Sequence, residues 1–175
     1  DIPMSELNLL GDISIKEGKI VFHGAKPSVE KKFNGIIAGA FFRLKSRITC
    51  CDAVYIHSGS GIPLVGSNYF GLVDRGTNVI ELKPVCGCNL SCIYCSVAQE
   101  KRSVDFVVET DYLVSEFEKI VRYKGGDDIE AHIGGQGEPL LYMHLKDLIL
   151  GLSKIRGVKT ISIDTNGTLL TKIIV

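Results

Sequence analysis

Cys88, Cys92 and Cys95 fall within the run Cys88-Asn-Leu-Ser-Cys92-Ile-Tyr-Cys95, a C-x3-C-x2-C spacing with an aromatic residue before the last cysteine. Thiolates are the usual ligands of iron–sulfur clusters, and a full set for a [4Fe–4S] cubane is four. Three thiolates leave one iron without a protein ligand, and an open position on a metal is where substrate binds. The iron corners of a cubane lie close together, so three ligands must come from one tightly curled loop. Asn89 and Ser91 favour such a curl by bonding their side chains to nearby backbone, and Gly87 frees the chain on the approach.

Other chemistries could use the same cysteines. With Cys86 the loop offers four thiols, enough for a structural zinc site, although zinc knuckles usually pair two C-x2-C hooks and only Cys92 and Cys95 form one here. Cys92 and Cys95 alone have the spacing of a thioredoxin-like pair, which leaves Cys88 idle. Cys50 and Cys51 stand apart in sequence and are expected to serve packing.

Two more segments carry ligand-binding chemistry. In Ile129 to Leu140, alternation of Ile129, Ala131 and Ile133 predicts a short buried strand, and Gly134-Gly-Gln-Gly-Glu138-Pro139 predicts a turn whose backbone a ligand can approach closely. Its plainer reading is a strand-to-helix turn with Pro139 near the helix start. In Thr160 to Leu170 a third strand breaks at Asn166-Gly167, a strong turn dipeptide.

The cysteine loop resembles that of the radical S-adenosylmethionine (radical SAM) superfamily, and the two later motifs follow in that family's order. The resemblance implies a [4Fe–4S] cluster on Cys88, Cys92 and Cys95 whose open iron binds the amino and carboxylate groups of SAM. It implies an electron from an external flavodoxin- or ferredoxin-like donor, cleavage of the sulfonium C–S bond, and a 5′-deoxyadenosyl radical that abstracts hydrogen from a substrate, here unknown. Gly135, Gly137 and Glu138 would hold the methionine amino group, although the family's run is Gly-Gly-Glu-Pro and Gln136 and Gly137 intervene here. Thr165 and Asn166 would lie close to SAM, and Tyr94 beside its adenine. Within the family, an activating enzyme that places a glycyl radical on a partner protein is an alternative. Outside it, the alternative is a non-catalytic iron–sulfur or zinc module. The stretch from Phe70 to Asn78 is similar to uncharacterised archaeal members of the same family.

These motifs have to be positioned by strands and helices. Val79 to Val85 reads as the first core strand, and alternation puts Glu81 and Lys83 on one face, a candidate lining for a barrel interior. A first helix starts at Thr110 or Asp111, carries Leu113, Phe117, Ile120 and Val121 on one face, and stops at Gly125-Gly126. A second presents Leu145, Leu148, Ile149, Leu152 and Ile155 and stops at Gly157. Strand, loop and helix repeat, with helices long enough for right-handed crossovers between parallel strands. Every motif then follows the C-terminal end of a strand, where α/β barrels put their active sites.

The expected fold is α/β: the first half of a partial (β/α)6 TIM-like radical SAM barrel over residues 77–175, preceded by a small α+β region over residues 1–76. Three βα units are counted, with a third helix only beginning near Leu169. The first residue, Asp1, also fits a segment of something longer, for which weak SAM binding and little turnover are expected. In the N-terminal region Ile13 to Phe22 reads as a hairpin with Glu17-Gly18 at its turn. Basic residues from Lys26 to Arg47 surround the apolar run Gly35 to Phe42, a solvated face over a packed one. Gly59 to Gly71 reads as a linker.

Twenty basic and twenty acidic residues balance, so bulk charge gives no pull toward nucleic acid. No apolar run is long enough to span a bilayer. Six cysteines clustered by motif point to a reducing cytoplasmic setting and away from a disulfide framework.

Overall fold

The structure, a computed structural model, describes residues 2–17, 19–23, 26–97 and 102–172. It divides into two compact units between Leu44 and Lys45. The first unit holds a short helix α1 (Met4–Leu7), a 3-10 turn, the antiparallel hairpin β1 (Asp12–Lys16) and β2 (Lys19–His23), and helix α2 (Lys26–Phe41). The hairpin forms as its alternation predicts, with Glu17 at a positive φ of 49° and Gly18 outside the described residues. Phe22 of β2 packs on Phe33 of α2 with ring centroids 5.3 Å apart, and Arg43 pairs with Glu6 at 2.9 Å.

The second unit is built on a four-stranded sheet whose order is β4 (Gly71–Asp74), β5 (Val79–Lys83), β7 (Ile129–Ile133), β8 (Val158–Ile163). Strands β5, β7 and β8 run parallel, and β4 flanks β5 antiparallel. On β7 the alternation gives Ile129, Ala131 and Ile133 to the core while Glu130 and His132 stay half-exposed on the other face. Helix α3 (Thr110–Lys124) lays Leu113, Phe117 and Val121 on this core, one turn apart along a single stripe. Gly125, in the left-handed conformation at φ 65°, closes it by donating its N–H to the Val121 carbonyl. Helix α4 (Leu145–Leu152) adds Leu145, Leu148 and Leu152, and Ile155 is buried beyond its end.

Several boundaries differ from the sequence reading. Helix α3 does start at Thr110, as expected, but its N-cap position is Glu109, so neither Thr110 nor Asp111 caps it and no side chain does. Helix α4 ends at Leu152, five residues before Gly157, which takes a φ of 100° at the entry to β8. Residues 52–56 and 71–74, grouped by sequence with the N-terminal region, bond to strands of the second unit. β3 (Asp52–Ile56) pairs parallel with β6 (Val104–Val108), a strand the sequence reading did not see. β6 also lies antiparallel to the end of the first core strand: Val108 N donates to Pro84 O, and Cys86 N to Phe106 O. The cysteine loop is therefore an excursion whose two feet are stitched together. Among the described residues no helix is long and apolar enough to cross a membrane.

Candidate functional site

Because β5, β7 and β8 are parallel, the segments after Lys83, Ile133 and Ile163 emerge at one edge of the sheet. These are the cysteine loop, the Gly134–Glu138 turn and the Asp164–Thr168 turn. The second abuts the foot of the first: Glu138 N donates to Gly87 O at 2.9 Å. A Cβ on Gly137 would stand 2.4 Å from that same oxygen and 2.7 Å from the Cys86 carbonyl carbon. Gly137 thus serves close approach of two stretches of backbone. Both sides being backbone, Gly137→Ala is expected to cost about 1–3 kcal/mol, seen as a lower urea midpoint at unchanged slope. Gly135 takes a φ of 101° and lies over the Lys83 side chain.

Glu138 joins the second turn to the third. Its side chain is buried, 1% exposed. Oε1 accepts from Leu140 N at 2.9 Å and from the Thr165 hydroxyl at 2.6 Å, and Oε2 accepts from Asn166 N at 2.7 Å. Thr165 and Asn166 are therefore brought to Glu138 as a structural set. Asn166 also reaches the cysteine loop, its Nδ2 lying 3.0 Å from Asn89 Oδ1 and 3.9 Å from Cys88 Sγ.

All the cysteines are free, and two sulfurs of the three-cysteine motif, those of Cys88 and Cys95, face a backbone donor. Leu90 N lies 3.5 Å from Cys88 Sγ, and Val97 N lies 3.4 Å from Cys95 Sγ. The neighbouring Cys92 sulfur pushes the Tyr94 phenol above its usual range. The Tyr94 ring is 87% exposed. Donors aimed at sulfur suit thiolates that carry a cluster, and three sulfurs on one short loop match the donor set of a cubane with one open iron. Among the described residues no three His, Cys, Asp or Glu side chains are grouped closely enough to hold a single ion. The thiols share a loop without converging on a common point.

The remaining cysteines take other places. Cys86 is fully buried, receives Phe106 N at 2.9 Å, and has its thiol pushed up chiefly by burial. It is not presented with the other three. Cys51 directs its sulfur at Arg102 O, 3.1 Å away. Cys50 is exposed at a φ of 60°, so the packing role expected of it is corrected: a left-handed turn residue lifts it out of the core.

Three contributors went unseen in the sequence. Arg102 donates to Gln136 O at 3.1 Å and faces Asp105 at 4.0 Å, both side chains buried, so it ties the far foot of the cysteine loop to the second turn. Asn89, expected only as a curl-former, and Thr168, with no expected role, join the cysteine loop to the third turn, Asn89 Nδ2 donating to Thr168 Oγ1 at 2.9 Å. Glu81 and Lys83 do share a face, 3.4 Å apart, with Arg75 2.8 Å from Glu81.

The model of the radical SAM superfamily matches residues 82–175, more than half of the chain, from β5 through all three turns. This chain belongs to the radical SAM superfamily. An uncharacterised protein of Methanocaldococcus jannaschii is 45% identical over 133 residues, covering 73% of this chain and 30% of the relative. GTP 3′,8-cyclase of Staphylococcus carnosus is 38% identical over 109 residues, covering 57% of the chain and 30% of the cyclase. GTPase Obg of Brachyspira hyodysenteriae is 35% identical over 97 residues, or 53% of the chain and 14% of that protein. The chain thus spans less than a third of each of these relatives. No solved structure matches it. Radical SAM membership makes the α/β order of β5, β7 and β8 that of a partial TIM-like fold and the protein one of a family of enzymes.

Proposed function

We propose that the chain carries the cluster-binding half of a radical SAM enzyme, a half-barrel in which Cys88, Cys92 and Cys95 hold a [4Fe–4S] cluster that binds SAM at its open iron. When bound, that group supplies the electron that splits the sulfonium C–S bond, yielding the radical that abstracts hydrogen from substrate. The observation that carries this reading is the convergence of three motifs on one sheet edge, with hydrogen-bond donors aimed at the Cys88 and Cys95 sulfurs. The chain's own residues do the holding. The turn carbonyls around Gly135 and Gly137 accept from the SAM amino group, and the Glu138 carboxylate behind them supplies negative charge and keeps Thr165 and Asn166 close to SAM. Tyr94 lies beside the adenine. Partners are SAM, an external flavodoxin- or ferredoxin-like reductant and a substrate to be identified. GTP is the named substrate of a relative of which this chain covers 30%, and the proposal extends only to the shared radical initiation.

Anaerobic reconstitution with iron and sulfide tests it. The expected product carries about four irons per chain, with broad visible absorbance that dithionite bleaches, and added SAM alters the spectrum of the reduced form. With SAM and reductant, 5′-deoxyadenosine accumulates. Stoichiometric zinc with no iron would replace this reading with that of a zinc module.

A further inference from the structure

Asn89, Asn166 and Thr168 close a ring of hydrogen bonds between the cysteine loop and the third turn. Asn166 Nδ2 donates to Asn89 Oδ1 at 3.0 Å, Asn89 Nδ2 to Thr168 Oγ1 at 2.9 Å, and Thr168 Oγ1 to Asn166 Oδ1 at 2.7 Å. Thr168 N also donates to Asn166 Oδ1 at 3.0 Å. That backbone N–H can only donate, so it fixes which way the Asn166 amide faces. A reversed amide would set donor against donor at Thr168 and oxygen against oxygen at Asn89. With the orientation fixed, one Nδ2 proton goes to Asn89 and the other is left for Cys88 Sγ, 3.9 Å away. The Asn166 backbone is held separately, by Glu138.

We propose that Asn166 is a positioning residue that latches the cysteine loop to the third strand and donates an N–H···S hydrogen bond to the ligating sulfur of Cys88, so tuning the reduction potential of the cluster. The inference rests on the three-thiolate reading above. A donor to sulfur draws off negative charge and favours the more negative, reduced state, which raises the potential; hydrogen bonds to the sulfurs are among the established levers on such potentials. The ring adds rigidity, because a ligand whose neighbours are held loses less freedom when the cluster forms.

The experiment compares reconstituted wild type with N166A, N166D and N89A by redox titration of the cluster and by the rate of iron loss to a chelator. N166A keeps the backbone bond to Glu138, and a thermal melt of the metal-free chains verifies that each variant folds. N166A moves the midpoint potential to more negative values. N166D moves it further, because an acceptor and a charge replace the donor. Both release iron several-fold faster. N89A breaks the ring but leaves the sulfur donor, so it speeds iron loss while its potential stays nearer the wild-type value. Wild-type potentials and iron-loss rates in N166A and N166D would overturn the inference, and an N89A shift as large as that of N166A would overturn the donor role. Failure of the wild type itself to take up iron would instead overturn the three-thiolate reading.

Discussion

Cys92→Ala is expected to cut the iron retained after anaerobic reconstitution by tenfold or more, and Cys86→Ala to leave it at the wild-type level. Loss of an outer hydrogen-bond partner typically costs about 10–100-fold in metal affinity, so loss of one of three protein ligands is expected to cost more. The contrast with Cys86 gives the experiment its power, because the two cysteines stand six positions apart on the same loop. Cys86 is fully buried, with Phe106 N–H on its sulfur. Its removal leaves a small void and an unpaired backbone donor, a matter of stability at about 1–2 kcal/mol. Cys88 and Cys95 should behave like Cys92. Iron and sulfide assays with the visible spectrum decide it. Equal iron loss in the Cys86 variant would restore the four-thiol site, and full loading of the Cys92 variant would remove the ligand assignment altogether.

The elements that the sequence discloses are those in which one face must be apolar. Ile129, Ala131 and Ile133 alternate because one face of β7 meets α3 and α4. Leu113, Phe117 and Val121 recur at helical spacing because they cover the same sheet. The cysteine spacing is legible for a different reason: it is chemistry, and only a few local sequences supply three sulfurs on one curl. β3 and β6 gave no such signal. Val104–Val108 is burdened with a buried Asp105, which bonds to the distant Thr49 and faces Arg102 three residues before it, so its apolar pattern is broken by a need that the tertiary structure reveals. β4 pairs over four residues beside a Gly- and Ser-rich stretch, too short for periodicity to separate it from a linker.

The glycines of the second turn show where a correct motif can conceal its mechanics. Close approach was expected there, and it exists, but at Gly137 the approaching group is the backbone of Cys86 and Gly87. In the same way Glu138, Thr165 and Asn166 were each singled out for a ligand, and the structure first spends them on one another. Sequence order cannot disclose such cross-links, because Glu138 and Asn166 are 28 residues apart and meet only once β7 and β8 lie side by side. A site assembled from three loops needs internal struts before it can hold anything else.

Glu138→Ala is expected to lower the stability of the chain by roughly 3–5 kcal/mol, among the largest effects of any single polar substitution in it. A carboxylate taken out of water is tolerated only when it is fully bonded, and among the described residues no cationic side chain pairs with Glu138. Three donors carry that burden: Leu140 N, the Thr165 hydroxyl and Asn166 N. Truncation leaves all three without an acceptor and releases the third turn from the second. Glu138→Gln separates charge from shape. Its amide oxygen can keep Leu140 N and Thr165, but its NH2 group then faces Asn166 N–H, donor against donor, and the cost should be about 1–2 kcal/mol. Urea unfolding monitors both variants, with a shift in midpoint at constant slope as the expected form. Cluster loading should fall with them, since Asn166 is the link from Glu138 to the cysteine loop. If Glu138→Ala instead unfolded at the wild-type midpoint, the carboxylate would not be the strut between the two turns, and its hold on Thr165 and Asn166 would have to come from the strands alone.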